Sequence, residues 1–142
     1  MAPLYYLPLA PVKIFLPSRP IFCTGGIEKF FLDLLYPNEY DKPMNILKRT
    51  ATFDAWLSDL KDMTGKARIL QRLDSFQRGN FGDCETVGGG VSELKIHTGP
   101  GYRVYFARRD AVVYLLLLGG DKSTQKKDII RAQEMLKILP KE

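Results

Sequence analysis

The chain is expected to form an α+β domain: an antiparallel sheet meander with two helices before it and one after, in the order β-α-α-β-β-β-α. Three observations predict this. Residues 85–122 alternate apolar and polar side chains around tight turn signals, as half-buried strands do. Residues 50–79 and 123–139 repeat apolar side chains at helical spacing. Residues 1–43 stand apart as a Pro-rich N-terminal extension, with seven of the nine prolines, which leaves 44–142 as the folded domain.

The extension offers one helical pattern, Gly26 to Tyr36, with Ile27, Phe30, Phe31, Leu34 and Leu35 on one face and Pro37 as its stop. Two readings are open: a helix packed on the domain, or upstream sequence ahead of an authentic start at Met44. The second is favoured, because a plausible first strand, Met44 to Lys48, begins there. Thr50 then caps a helix to about Lys61, with Phe53, Trp56, Leu57 and Leu60 along its apolar stripe. A second helix starts at Thr64 and ends near Gly79, with Ala67, Leu70, Leu73 and Phe76 inward.

Three strands follow. Leu94 and Ile96 face one way, with Val104 and Phe106 beside them across the His97–Gly101 turn. Lys95, His97, Arg103 and Tyr105 fall on the opposite face: cations beside an aromatic, as a phosphodiester ligand requires. Val112 to Leu118 is apolar throughout and suits a central strand covered on both faces. The last helix, Ser123 to about Leu139, turns Ile129, Ala132, Leu136 and Leu139 inward. Its Lys126, Lys127, Arg131 and Lys137 point mainly outward. Gly88-Gly89-Gly90 and Thr98-Gly99-Pro100-Gly101 are turns; neither has the strand–loop–helix layout of a phosphate loop.

Composition narrows the function. The net charge of +5 falls entirely on residues 44–142, which suits RNA or an acidic protein. Cys23 and Cys84 leave a disulfide open, but reduced thiols in the cytoplasm are expected. One histidine and no Cys-x-x-Cys give no zinc constellation, so no cofactor and no metal are expected. No run approaches the roughly 18 apolar residues of a membrane-spanning helix, and no basic region precedes the apolar start.

The runs SELKIH-TGPGYRVYF and VYLLLLGGDKSTQKKDI resemble the phage-type addiction-module killer proteins (HigB-like) of the RelE/ParE toxin superfamily, over about residues 44–142. The resemblance implies the toxin of a bacterial type II toxin–antitoxin pair. Its partners would be a helix-turn-helix antitoxin, the ribosome and mRNA, with operator DNA reached only through the antitoxin and no membrane. Many members are ribosome-dependent mRNA endonucleases that inhibit translation. Others poison DNA gyrase without nuclease chemistry, and an inactive relic that binds antitoxin is a further reading.

Metal-free RNA cleavage proceeds by 2′-OH attack on the adjacent phosphorus. It needs a base for that hydroxyl, cations for the phosphorane and an acid for the leaving oxygen. The resemblance places Lys95, Arg103 and Lys122 around the scissile phosphate, Lys122 standing where the family has an arginine. A guanidinium at Arg103 holds phosphate oxygens bidentately, although a salt bridge to Glu93 or Asp121 is the alternative. His97 completes the catalytic set as the side chain titrating nearest neutrality. Asp121 is expected to cap the last helix. The chain departs from one family branch at Glu93, where that branch has lysine, and near Asp128, where it has tyrosine.

Overall fold

The computed structural model describes residues 34, 35, 37, 38 and 44–141. Cys23 and most of the 1–43 extension, including nearly all of its candidate helix, lie outside the described residues. The elements run β1 (Ile46–Arg49), α1 (Ala51–Asp59), α2 (Met63–Gln77), β2 (Cys84–Gly88), β3 (Val91–Ile96), β4 (Tyr102–Arg108), β5 (Val113–Asp121), a 3₁₀ turn (Lys122–Thr124) and α3 (Gln125–Ile138). The fold is α+β, with helices flanking one five-stranded sheet in the order β1-β5-β4-β3-β2.

Two features correct the expected meander. The sheet is mixed, because β1 pairs in parallel with β5 while β2 to β5 are antiparallel. A fourth meander strand, β2, is also present, and the triple glycine is the turn joining it to β3. Gly88, Gly89 and Gly90 all have positive φ (90°, 64° and 80°), which glycine adopts without the Cβ clash of other residues. With only Cys84 buried, β2 carries too little apolar alternation to read as a strand.

Thr50 starts α1 as expected. Its hydroxyl oxygen accepts from Phe53 N at 3.1 Å, and the same hydroxyl donates to Leu117 O at 2.6 Å. Thr50 therefore ties the helix to a bulge in β5. Tyr105 pairs with Leu118 and Phe106 with Leu116, leaving Leu117 as the extra residue. The bulge sends Leu116 into one core and both Leu117 and Leu118 into the other.

Helix α2 is capped by Asp62 rather than Thr64, through a bond from Gly65 N at 3.0 Å. Its buried stripe is Gly65, Ile69, Leu73 and Phe76; Ala67 and Leu70 are exposed, so the expected inward set was rotated. The helix ends at Arg78, followed by Gly79 at φ 91°.

Two apolar layers result. Phe53, Leu57, Ile69, Leu73 and Phe76 of α1 and α2 pack on Leu94, Ile96, Val104, Phe106 and Leu116. Phe76 is the hub, with edge-on rings from Phe81, Phe106 and Tyr114 at 4.6–4.9 Å. On the other face, Ala132 with Ile129, Met135 and Leu136 of α3 packs on Val91, Tyr105, Ala107, Leu117 and Leu118. No described helix is long and apolar enough to cross a membrane. Cys84 is buried in the helix α1–α2 side of the core.

Candidate functional site

The face assigned to Lys95, His97, Arg103 and Tyr105 is correct in direction but is not an open surface. Helix α3 lies across it. Tyr105 and Glu93 are 0% exposed and Arg103 only 6%. Alternation sets which side a residue faces; the element that covers that side comes from elsewhere in the chain.

The sheet register gathers three of the predicted residues at one end. Lys95 stands opposite Arg103, and Arg103 opposite Gly120. Lys122 joins them because its backbone N–H donates to Gly101 O at 2.9 Å, tying the end of β5 to the β3–β4 turn. His97 lies just past β3 at the same end, its side chain 67% exposed.

Each of these cations except Lys122 has an acidic partner. Arg103 Nε lies 2.8 Å from Glu93 Oε1, a close ion contact whose N–H is not aligned along a hydrogen bond. Gln125 Nε2, at the start of α3, donates to both Glu93 oxygens at 2.9 Å. Arg103 Nη1 donates to Tyr102 O at 3.3 Å. The guanidinium is therefore committed inside the protein, and the anticipated salt-bridge alternative is the one observed, buried rather than at the surface.

Lys95 Nζ is 3.0 Å from Glu85 Oε1, and that hydrogen bond raises the ammonium pKa against the opposing effect of desolvation. The carboxylates around Lys95 therefore hold its proton on. His97 Nε2 meets Asp83 Oδ2 at 2.5 Å, and this bond keeps the Asp83 carboxyl below its ordinary range, with Lys95 and Arg103 adding to it. Lys122 is exposed and makes no ion pair with any described residue.

Tyr105 offers no stacking surface. Its ring is in the α3-side core, its hydroxyl has no hydrogen-bond partner among the described residues, and burial first, then Glu93, pushes its pKa well above the ordinary phenol value. Asp121 caps the 3₁₀ turn rather than the last helix, whose N-cap is Thr124; it accepts from Ser123 N at 2.8 Å, and its bonds to Ser123 lower its pKa. Among the described residues, no group of His, Cys, Asp and Glu could hold a metal ion.

Asp83, Glu85 and Gln125 were missed as members of this end of the sheet. The signal for the first two was present. Asp83 and Glu85 alternate with Cys84, which places them beside Lys95 and His97 once β2 is recognised as a strand. Gln125 had no such signal, because its reach to Glu93 spans 32 residues.

Comparison with known proteins places this geometry in a family. Residues 55–137 match the family described as "Phage derived protein Gp49-like (DUF891)". That stretch runs from within α1 to within α3 and contains Lys95, His97, Arg103 and Lys122. A protein from Haemophilus influenzae, described as "Uncharacterized protein", is 52% identical over 87 residues, covering 61% of this chain and 88% of the relative.

Proposed function

We propose that this chain, which belongs to the phage-derived Gp49-like family, is the toxin of a type II toxin–antitoxin module, a metal-independent, ribosome-dependent mRNA endonuclease of RelE/ParE type. The observation that carries this reading is the convergence of Lys95, Arg103 and Lys122 at the end of the sheet where His97 stands exposed. The mixed sheet with two helices before the meander and one after is consistent with it.

In this mechanism the 2′-OH of the message attacks the adjacent phosphorus. Lys122, the cation free of a described acidic partner, meets the incoming phosphate, while Arg103 and Lys95, paired with Glu93 and Glu85, hold the end of the sheet rigid behind it. As the P–O2′ bond forms and the P–O5′ bond breaks, His97, held by Asp83 at Nε2, takes the 2′-OH proton, and a proton passes to the departing 5′ oxygen. The ribosome positions the message, which supplies much of the barrier reduction. A helix-turn-helix antitoxin neutralises the toxin, and operator DNA is reached through that partner.

Induction of the full chain should stop protein synthesis before DNA synthesis. Translated messages should carry 2′,3′-cyclic phosphate or 3′-phosphate ends, formed equally with chelator present. Lys122→Ala and His97→Ala are the informative variants, because both side chains are exposed and their loss leaves the core intact. Removing a donor to the transition state costs about 100- to 1,000-fold in rate. Full cleavage by both variants would sink the assigned roles.

One observation favours a second reading, a gyrase poison without nuclease chemistry: Arg103 is buried on Glu93 and so available for structure rather than for a phosphate. Early arrest of DNA synthesis with intact messages would select it.

A further inference from the structure

The walls between α1 and α3 carry a feature that the proposed chemistry does not use. Strand β1 accompanies β5 only as far as the Arg49–Leu116 pair, after which the chain turns at Thr50 into α1. Beyond that point the edge of β5 at Leu118 and Gly119 forms the floor of an open groove of about 470 Å³. Ala55 and Trp56 line one wall and Arg131 of α3 the other. The volume lies within the roughly 300–1,000 Å³ typical of small-ligand sites.

The groove depends on a glycine. A Cβ at Gly119 would fall within the Trp56 ring, so the absent side chain lets the indole lie against the strand. Arg131 is exposed and has no ion pair with a described residue, and Lys127 stands one turn before it. Arg131 is the charged side chain lining the groove, which favours an anion there. An aromatic wall, a glycine in the floor and an exposed guanidinium together match a nucleotide, base on the indole and phosphate on the arginine. An added peptide strand is a poorer fit, because only a short stretch of β5 extends past β1.

We propose that this groove binds single-stranded RNA, as a subsite that holds the message apart from the Lys95–Arg103–Lys122 end. The choice of RNA rests on the function proposed above; the binding itself is measured without any cleavage.

The chain has one tryptophan, so intrinsic emission reports the groove directly. Full-length protein is titrated at low salt with an oligouridylate of about six nucleotides, a length within the range of single-strand sites. Saturable quenching is expected, with none from a blunt duplex of the same length. Arg131→Ala should weaken binding about tenfold and lower the slope of log affinity against log salt by about one. Ala55→Leu, at an exposed helical position, should fill the groove and abolish quenching. Both variants should keep the wild-type melting temperature.

No saturable quenching, equal affinity in both folded variants, or quenching by oligoglutamate but not by RNA would overturn the proposal. Cleavage of a translated message is assayed in parallel with ribosomes present. Quenching without cleavage would refute the endonuclease reading and leave the groove; cleavage without quenching would do the reverse.

Discussion

Truncating Arg103 should unfold the protein more readily than it disarms it. Glu93 is fully buried, and its contacts are the Arg103 guanidinium at 2.8 Å and the Gln125 amide at 2.9 Å. In Arg103→Ala the amide remains but the compensating charge is gone. Removing one partner of a buried ion pair costs about 3–5 kcal/mol. Against a typical net stability of about 5–15 kcal/mol this is a large share. At about 4–8 °C per kcal/mol for a domain of this size, the melting temperature should fall by at least about 12 °C. Replacing both partners with apolar residues, Glu93→Leu with Arg103→Met, should recover most of the loss, since the desolvation cost disappears with the charges. Circular dichroism melts of the wild type, both single variants and the double variant form the cycle. A wild-type melting temperature in Arg103→Ala would refute the reasoning, because it would mean that the Glu93 carboxylate does not need the guanidinium. The result also governs function. Loss of toxicity in Arg103→Ala would report folding, whereas the same loss in Lys122→Ala would report chemistry.

Three further outcomes are expected. Tyr105→Phe should be neutral or stabilising, because it removes a buried hydroxyl that has no partner among the described residues. The raised phenol pKa means that wild-type stability is complete below about pH 10 and falls as pH climbs toward the folded-state value, so the variant should lose this part of the alkaline sensitivity; urea midpoints across pH 8–12 test it. Asp62 caps α2 and accepts from Tyr102 Oη at 2.7 Å, and its pKa is lowered first by the Gly65 amide and then by that hydroxyl. Its stabilisation is present above the unfolded carboxyl pKa and lost as pH falls through the lower folded value, so Asp62→Ala should melt earlier at pH 7 and match the wild type in strong acid; a constant gap at every pH would contradict this. Gly119→Ala should cost about 1–3 kcal/mol as the new methyl displaces Trp56, with a red shift in emission; an unshifted spectrum with an unchanged melt would show that the ring had room.

Alternation in the sequence was enough to place Leu94, Ile96, Val104 and Phe106 on one side of the sheet and Lys95, Arg103 and Tyr105 on the other. Local chemistry was enough for the Thr50 cap and the glycine after α2, because those features are set within a few residues. Period and capping are properties of neighbours in sequence, so they can be read from it. What lies over a face is not such a property. That α3 covers the cationic side, that Glu93 meets Arg103 and Gln125 inside it, and that Asp83 and Glu85 take up His97 and Lys95 all depend on contacts across 10 to 32 residues. The bulge at Leu117 has the same origin, since it is joined to Thr50 across 67 residues. Tertiary structure therefore decided which of the aligned cations remain free: it buried Arg103, paired Lys95 and His97, and left Lys122 in solvent.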